Sequence, residues 1–104
     1  MARTPLTHDT ERLVELDFPS EDRAAATELL EMRCGEDLPL IGSTSPEAIE
    51  RIRFAVLKLS HGSIEELPRH IAIACTDWRD ALVAAGFGHQ VLAHRVWFKE
   101  RIDA

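Results

Sequence analysis

The run from Ser45 to Ser60 constrains this chain more than any other part of it. Ser45 can cap a helix with its hydroxyl, Pro46 fits the first helical position, where a missing amide is harmless, and Glu47 places an acid in the first turn. Ile49, Ile52, Val56 and Leu59 then recur at intervals of three and four, which carries the helix from 46 to about 60. Ala55 lies beside that stripe, and Phe54 with Leu57 makes a second one. A helix that is apolar on more than one side has to be surrounded, so this segment is predicted to be the central helix of a bundle.

Strand signals are absent from the remainder. The chain has no tyrosine and few valines, and its apolar residues never keep a sustained period of two. The expected class is all-α, a compact orthogonal bundle of five to six short helices forming a single domain over residues 1–104. Thr7 should cap a first helix that ends near Glu15, before the Phe18-Pro19 step. Ser20, followed by Glu21 and Asp22, reads as the cap of a second helix reaching Arg33, with Ala25, Ala26, Leu29, Leu30 and Met32 inward and Gly35 as a left-handed stop. The connection from Gly35 to Ser45 carries Leu38, Leu40 and Ile41, which predicts a strap folded back onto the core. Ser63 and Glu66 form a capping-box pattern for a fourth helix, but Pro68 forces either an irregular first turn or a start near Leu67. Thr76 and Asp77 begin a fifth helix with Trp78, Ala81, Leu82 and Ala85 inward and Gly86 as its stop. A sixth, weakly amphipathic, is expected from about His89 to Ile102.

Charge narrows the functional classes. The net charge is −6, with twelve acids and four bases in residues 1–50 and six acids and eight bases in residues 51–104. The acidic half and the mildly basic half should attract each other, within one chain or between two subunits. An acidic chain without clustered Lys and Arg is a poor fit to nucleic acid. No apolar run approaches the 18 or so residues of a membrane span, and the first ten residues do not resemble a secretory signal, so a cytoplasmic protein is expected. Cys34 and Cys75 are not spaced as a CxxC motif and are expected to be buried, reduced thiols.

Candidate chemistry is sparse. Asp77, Trp78, Arg79 and Asp80 put two carboxylates and a guanidinium on one helical turn, an arrangement that helix capping explains without a site. His61, His70, His89 and His94 follow no zinc-ligand spacing; His89 and His94, five apart, project about 140° apart on a helix. No metal or cofactor is implied, and no catalytic residue stands out. Gly86-Phe87-Gly88 lacks the preceding strand that a phosphate cradle needs and reads as a hinge. A helix-turn-helix over Ser63 to Gly88 would present only Arg79 to base edges while Asp77 and Asp80 repelled the phosphates.

The last helix offers the better clue. It mixes His94, Arg95, Val96, Trp97, Phe98, Lys99 and Arg101, and tryptophan and arginine are enriched in binding hot spots. Packing of Val91, Phe98 and Ile102 on the core accounts for part of it. The functional expectation is a protein–protein interaction module that self-associates through Arg95, Val96, Trp97, Phe98 and Arg101. The alternative is a small-molecule or metal-binding domain, possibly an enzyme, with a pocket formed by Asp77, Trp78, Arg79, His89 and His94. The segment Thr76 to Gly88, with Ala93-His94 and Trp97 downstream, resembles small uncharacterised bacterial helical proteins. That resemblance implies a compact bacterial cytoplasmic protein and no particular activity.

Overall fold

A computed structural model describes residues 3–36, 38 and 45–103 of the chain. Among them are six helices and no strand: α1 (His8–Asp17), α2 (Ser20–Arg33), α3 (Pro46–Ser60), α4 (Leu67–Thr76), α5 (Trp78–Ala85) and α6 (Ala93–Asp103). The chain is an all-α bundle, and α3 is its centre, in contact with α1, α4, α5 and α6. Ser45 starts α3 as expected, its Oγ accepting from the Ala48 amide at 3.2 Å. Ile49 and the unbroken run from Ile52 to Leu57 are buried, so this helix has no solvent-facing side over its middle turns. Against it pack Leu13 and Val14 of α1, Leu67 and Ile71 of α4, Ala81 and Leu82 of α5, and Phe98 of α6.

One residue of α3 has no place in an apolar account of the core. Arg53 is only 2% exposed, yet every direction of its guanidinium finds a backbone carbonyl. Nε donates to Cys34 at 2.7 Å, Nη1 to Pro5 at 3.0 Å, and Nη2 to Thr4 at 2.7 Å and Leu30 at 3.2 Å. Two of those carbonyls, Leu30 and Cys34, belong to the end of α2: Leu30 also accepts the Cys34 amide at 3.1 Å, whereas Cys34 lies past the last helical residue, where carbonyls lack intrahelical partners. Burial lowers the Arg53 pKa, but arginine starts so high that it keeps its charge. A lone arginine between Ile52 and Phe54 carries no local sign of burial, because the carbonyls that receive it come from distant segments.

Several predicted boundaries need correction. Ser20 is not a cap: Pro19, extended at φ −64° and ψ 157°, takes that position, and Ser20 is already helical. Arg23 reaches back instead and closes α1, donating to the Phe18 and Glu15 carbonyls at 3.1 and 2.9 Å. Gly35 is not a left-handed stop either, since only Gly62 and Gly86 among the described glycines have positive φ. A side chain at Gly35 would collide with Thr4, so glycine is needed there for close approach. The regular part of the fourth helix begins at Leu67, which gives Pro68 a first-turn position where it costs no hydrogen bond. Ser63 still accepts from the Glu66 amide at 3.3 Å, in a separate turn before the helix.

The sixth helix starts at Ala93 rather than His89. Arg51 takes the Phe87 and Gln90 carbonyls at 2.6 and 3.3 Å, which holds residues 88–92 as turns. Ala25 is exposed, while Leu29, Met32 and Trp78 are half-buried. Leu38 is buried, as a strap requires; Leu40 and Ile41 lie outside the described residues. Cys34 is buried, and burial pushes its thiol up to about 12, but Cys75 is exposed, contrary to expectation. No helix among the described residues is long and apolar enough to cross a membrane.

Candidate functional site

The basic residues of the second half are spent largely inside the molecule. Arg95 spans Asp9 of α1 and Glu50 of α3 at 2.9 and 2.8 Å, and Arg101 pairs with Asp17 at 2.5 Å. Lys58 donates to the Ala85 carbonyl at 2.6 Å, completing the end of α5, with its ammonium 5.0 Å from the centre of the Phe87 ring. The attraction between the halves is therefore realised within one chain, where α6 is clamped onto α1 and α3.

The expected interaction residues divide accordingly. Phe98 is buried and stacks on Phe54 with ring centres 5.3 Å apart. Trp97 is half-buried, its ring 6.0 Å from Phe54 and 5.7 Å from Phe87. Arg95 and Arg101 are partly exposed but held by the carboxylates just named. Val96 alone of the five points mainly to solvent, and it does so beside Val91 and Leu92. These three, adjacent or one helical turn apart in sequence, are 55%, 69% and 61% exposed. Leu92 and Val96, four apart in sequence, share a face apart from Val91, Phe98 and Ile102 in the periodicity; in the structure Leu92 stands just before α6 and its carbonyl accepts from the Val96 amide at 3.2 Å.

Next to that cluster runs a groove of about 580 Å³, between the first turns of α3 and the turn entering α6. Ser45, Ala48 and Arg51 form one wall, and Val91, Leu92 and His94 the other, with Glu47 and Glu50 at the rim. Two buried polar atoms in these walls, Arg51 Nε and His94 Nδ1, have no close hydrogen-bond partner among the described residues. His94 is 5% exposed and lies edge-on to Phe54 and Phe87, at 5.5 and 6.3 Å between ring centres. Burial holds its pKa below the usual value; Arg95 and Arg51 act in the same direction, while Glu50 and the Val91 backbone oppose them.

The second expected pocket is not assembled around His94. None of Asp77, Trp78, Arg79 or His89 lines the groove that His94 does. Asp77 caps α5 by accepting from the Arg79 amide at 3.1 Å, and the Arg79 guanidinium sits 5.2 Å from the Trp78 ring. His89 is exposed in the turn before α6. Among the described residues no three His, Cys, Asp or Glu side chains come together as metal ligands.

No protein-family model matches the sequence, and no curated protein or solved structure is significantly similar to it. The class that fold and site define is a small all-α bundle carrying an apolar cluster at the entry to its last helix, beside a shallow groove.

Proposed function

We propose that the protein is an interaction module that self-associates through the entry to α6. The observation that carries this reading is the exposure of Val91, Leu92 and Val96 together, next to a groove able to receive side chains. A second copy is the favoured occupant because the patch carries both signs around its apolar centre: Glu47 and Arg51 stand one helical turn apart on α3. A two-fold contact brings the same patch to itself, so the glutamate of one subunit can face the arginine of the other. Trp97, Arg95 and Arg101 then act from behind, fixing α6 at the angle that presents Leu92 and Val96.

Sedimentation and native mass spectrometry over a concentration series test the reading. A dimer that Leu92→Asp and Val96→Asp each convert to monomer, without loss of helicity or melting temperature, is the expected result. A protein that stays monomeric at every accessible concentration, or a dimer indifferent to both changes, overturns it.

A second reading treats the groove as a small-molecule site and rests on Arg51 Nε and His94 Nδ1, buried in its walls without a close hydrogen-bond partner among the described residues. It expects extra non-covalent mass on natively purified protein, lost in His94→Leu. Native spectra of the bare chain mass count against it.

A further inference from the structure

The two cysteines stand forty-one positions apart in sequence, yet they end neighbouring helices. Cys34 closes α2, Cys75 lies in the last turn of α4, and the two helices are in contact. The Cys75 thiol donates to the Arg33 carbonyl at 3.3 Å. That carbonyl belongs to the peptide leading into Cys34, and standard peptide dimensions put its oxygen about 2.8 Å from the Cys34 Cα. The Cys75 sulfur is therefore within about 6 Å of that Cα by addition of the two distances. A disulfide needs the two Cβ atoms about 3.5 to 4.5 Å apart, so from this arrangement both side chains have to turn toward each other to close the bond. The closeness has an electrostatic signature as well: beyond the dominant effect of burial, the presence of Cys75 pushes the Cys34 thiol further up.

We propose that Cys34 and Cys75 are an oxidisable pair, a modification site that reversibly ties the end of α2 to the end of α4. The pair goes beyond the self-association reading and is independent of it, since neither cysteine belongs to the α6 patch or its groove. Their environments divide the work. Cys75 is exposed and meets a soluble oxidant first, whereas Cys34 is fully covered and answers from inside. With hydrogen peroxide, the Cys75 sulfur takes up one hydroxyl as the O–O bond breaks, and the thiol proton leaves with the other oxygen as water. The Cys34 sulfur then attacks the Cys75 sulfenic acid: the S–S bond forms, the S–O bond breaks, and hydroxide departs with the Cys34 proton as a second water. Two thiols are oxidised and one peroxide is reduced. A buried thiol is a poor nucleophile, so this second step is slow and limits the rate.

Peroxide treatment of the full-length chain, followed by alkylation under denaturing conditions and intact mass measurement, is the test. Monomeric protein lighter by two hydrogen atoms, with both cysteines protected from alkylation and restored by dithiothreitol, is the expected product. Cys75→Ser should leave Cys34 reduced, and Cys34→Ser should stop at a sulfenic acid on Cys75 that dimedone traps. Three results each overturn the proposal: over-oxidation of Cys75 in the wild type while Cys34 stays alkylatable, a disulfide found only between chains, or no change at all. Since the wild-type product is itself diagnostic, a failure of the Cys34 variant to fold leaves the test intact.

Discussion

Replacing Arg53 by methionine keeps most of the stem that packs in the core and removes all the donors of its head. The effect can be worked carbonyl by carbonyl. Leu30 loses least, because its oxygen also accepts the Cys34 amide at 3.1 Å. Thr4 and Pro5 lie at the surface, where water replaces the lost donor, at about 0.5 to 1 kcal/mol each. Cys34 is wholly buried, so its carbonyl is left without a partner at about 1 to 3 kcal/mol. Relief of the buried charge offsets part of the sum, leaving roughly 3 kcal/mol of destabilisation. For a chain of 104 residues that corresponds to a fall of about 12 to 20 °C in Tm. Urea unfolding and calorimetry measure the loss. Hydrogen exchange should show the Thr4 amide, bonded to the Glu31 carbonyl at 3.0 Å, exchanging faster as the N-terminal segment detaches. Arg53→Lys should fall between the two, since one ammonium cannot reach carbonyls on both segments. A methionine variant within about 1 kcal/mol of wild type, or a lysine variant as stable as arginine, would refute the reasoning.

Phe54→Ala removes a fully buried ring that touches His94, Trp97 and Phe98, and should cost about 3 to 5 kcal/mol by chemical denaturation, with α6 losing protection first. Gly86 ends α5 at φ 84°, so Gly86→Ala should cost about 1 to 2 kcal/mol in the same assay. His94 makes stability depend on pH: its folded pKa lies below 6.5, so the unfolded chain binds the proton more readily. Stability from this group is present above about 6.5 and is lost as pH falls toward the lower folded value. His94→Gln should flatten that part of a Tm-versus-pH curve, and an unchanged slope would assign it to another group.

Sequence alone determined the helical class, the central helix and most of the helix boundaries. These follow from interactions within a few residues: the Ser45 cap, the apolar spacing after Pro46, Asp77 at the start of α5 and Gly86 at its end are each complete in one short stretch. Where a neighbouring element intervened, local reading failed. Arg51 holds back the start of α6, Thr4 dictates the glycine at 35, and Cys75 in the last turn of α4 is left exposed. The candidate site was legible to the same degree. That the last helix carries an unusual surface is visible in its composition, yet which residues form that surface depends on where their partners lie. Arg95 and Arg101 look like binding residues until Asp9, Glu50 and Asp17 arrive from distant parts of the chain, and Val91, expected on the core with Phe98 and Ile102, is 69% exposed because it lies in the turn before α6. Tertiary structure alone decided that Arg53 is the polar centre of the fold, because the four carbonyls that make its burial tolerable come from two segments, each nearly twenty or more positions away.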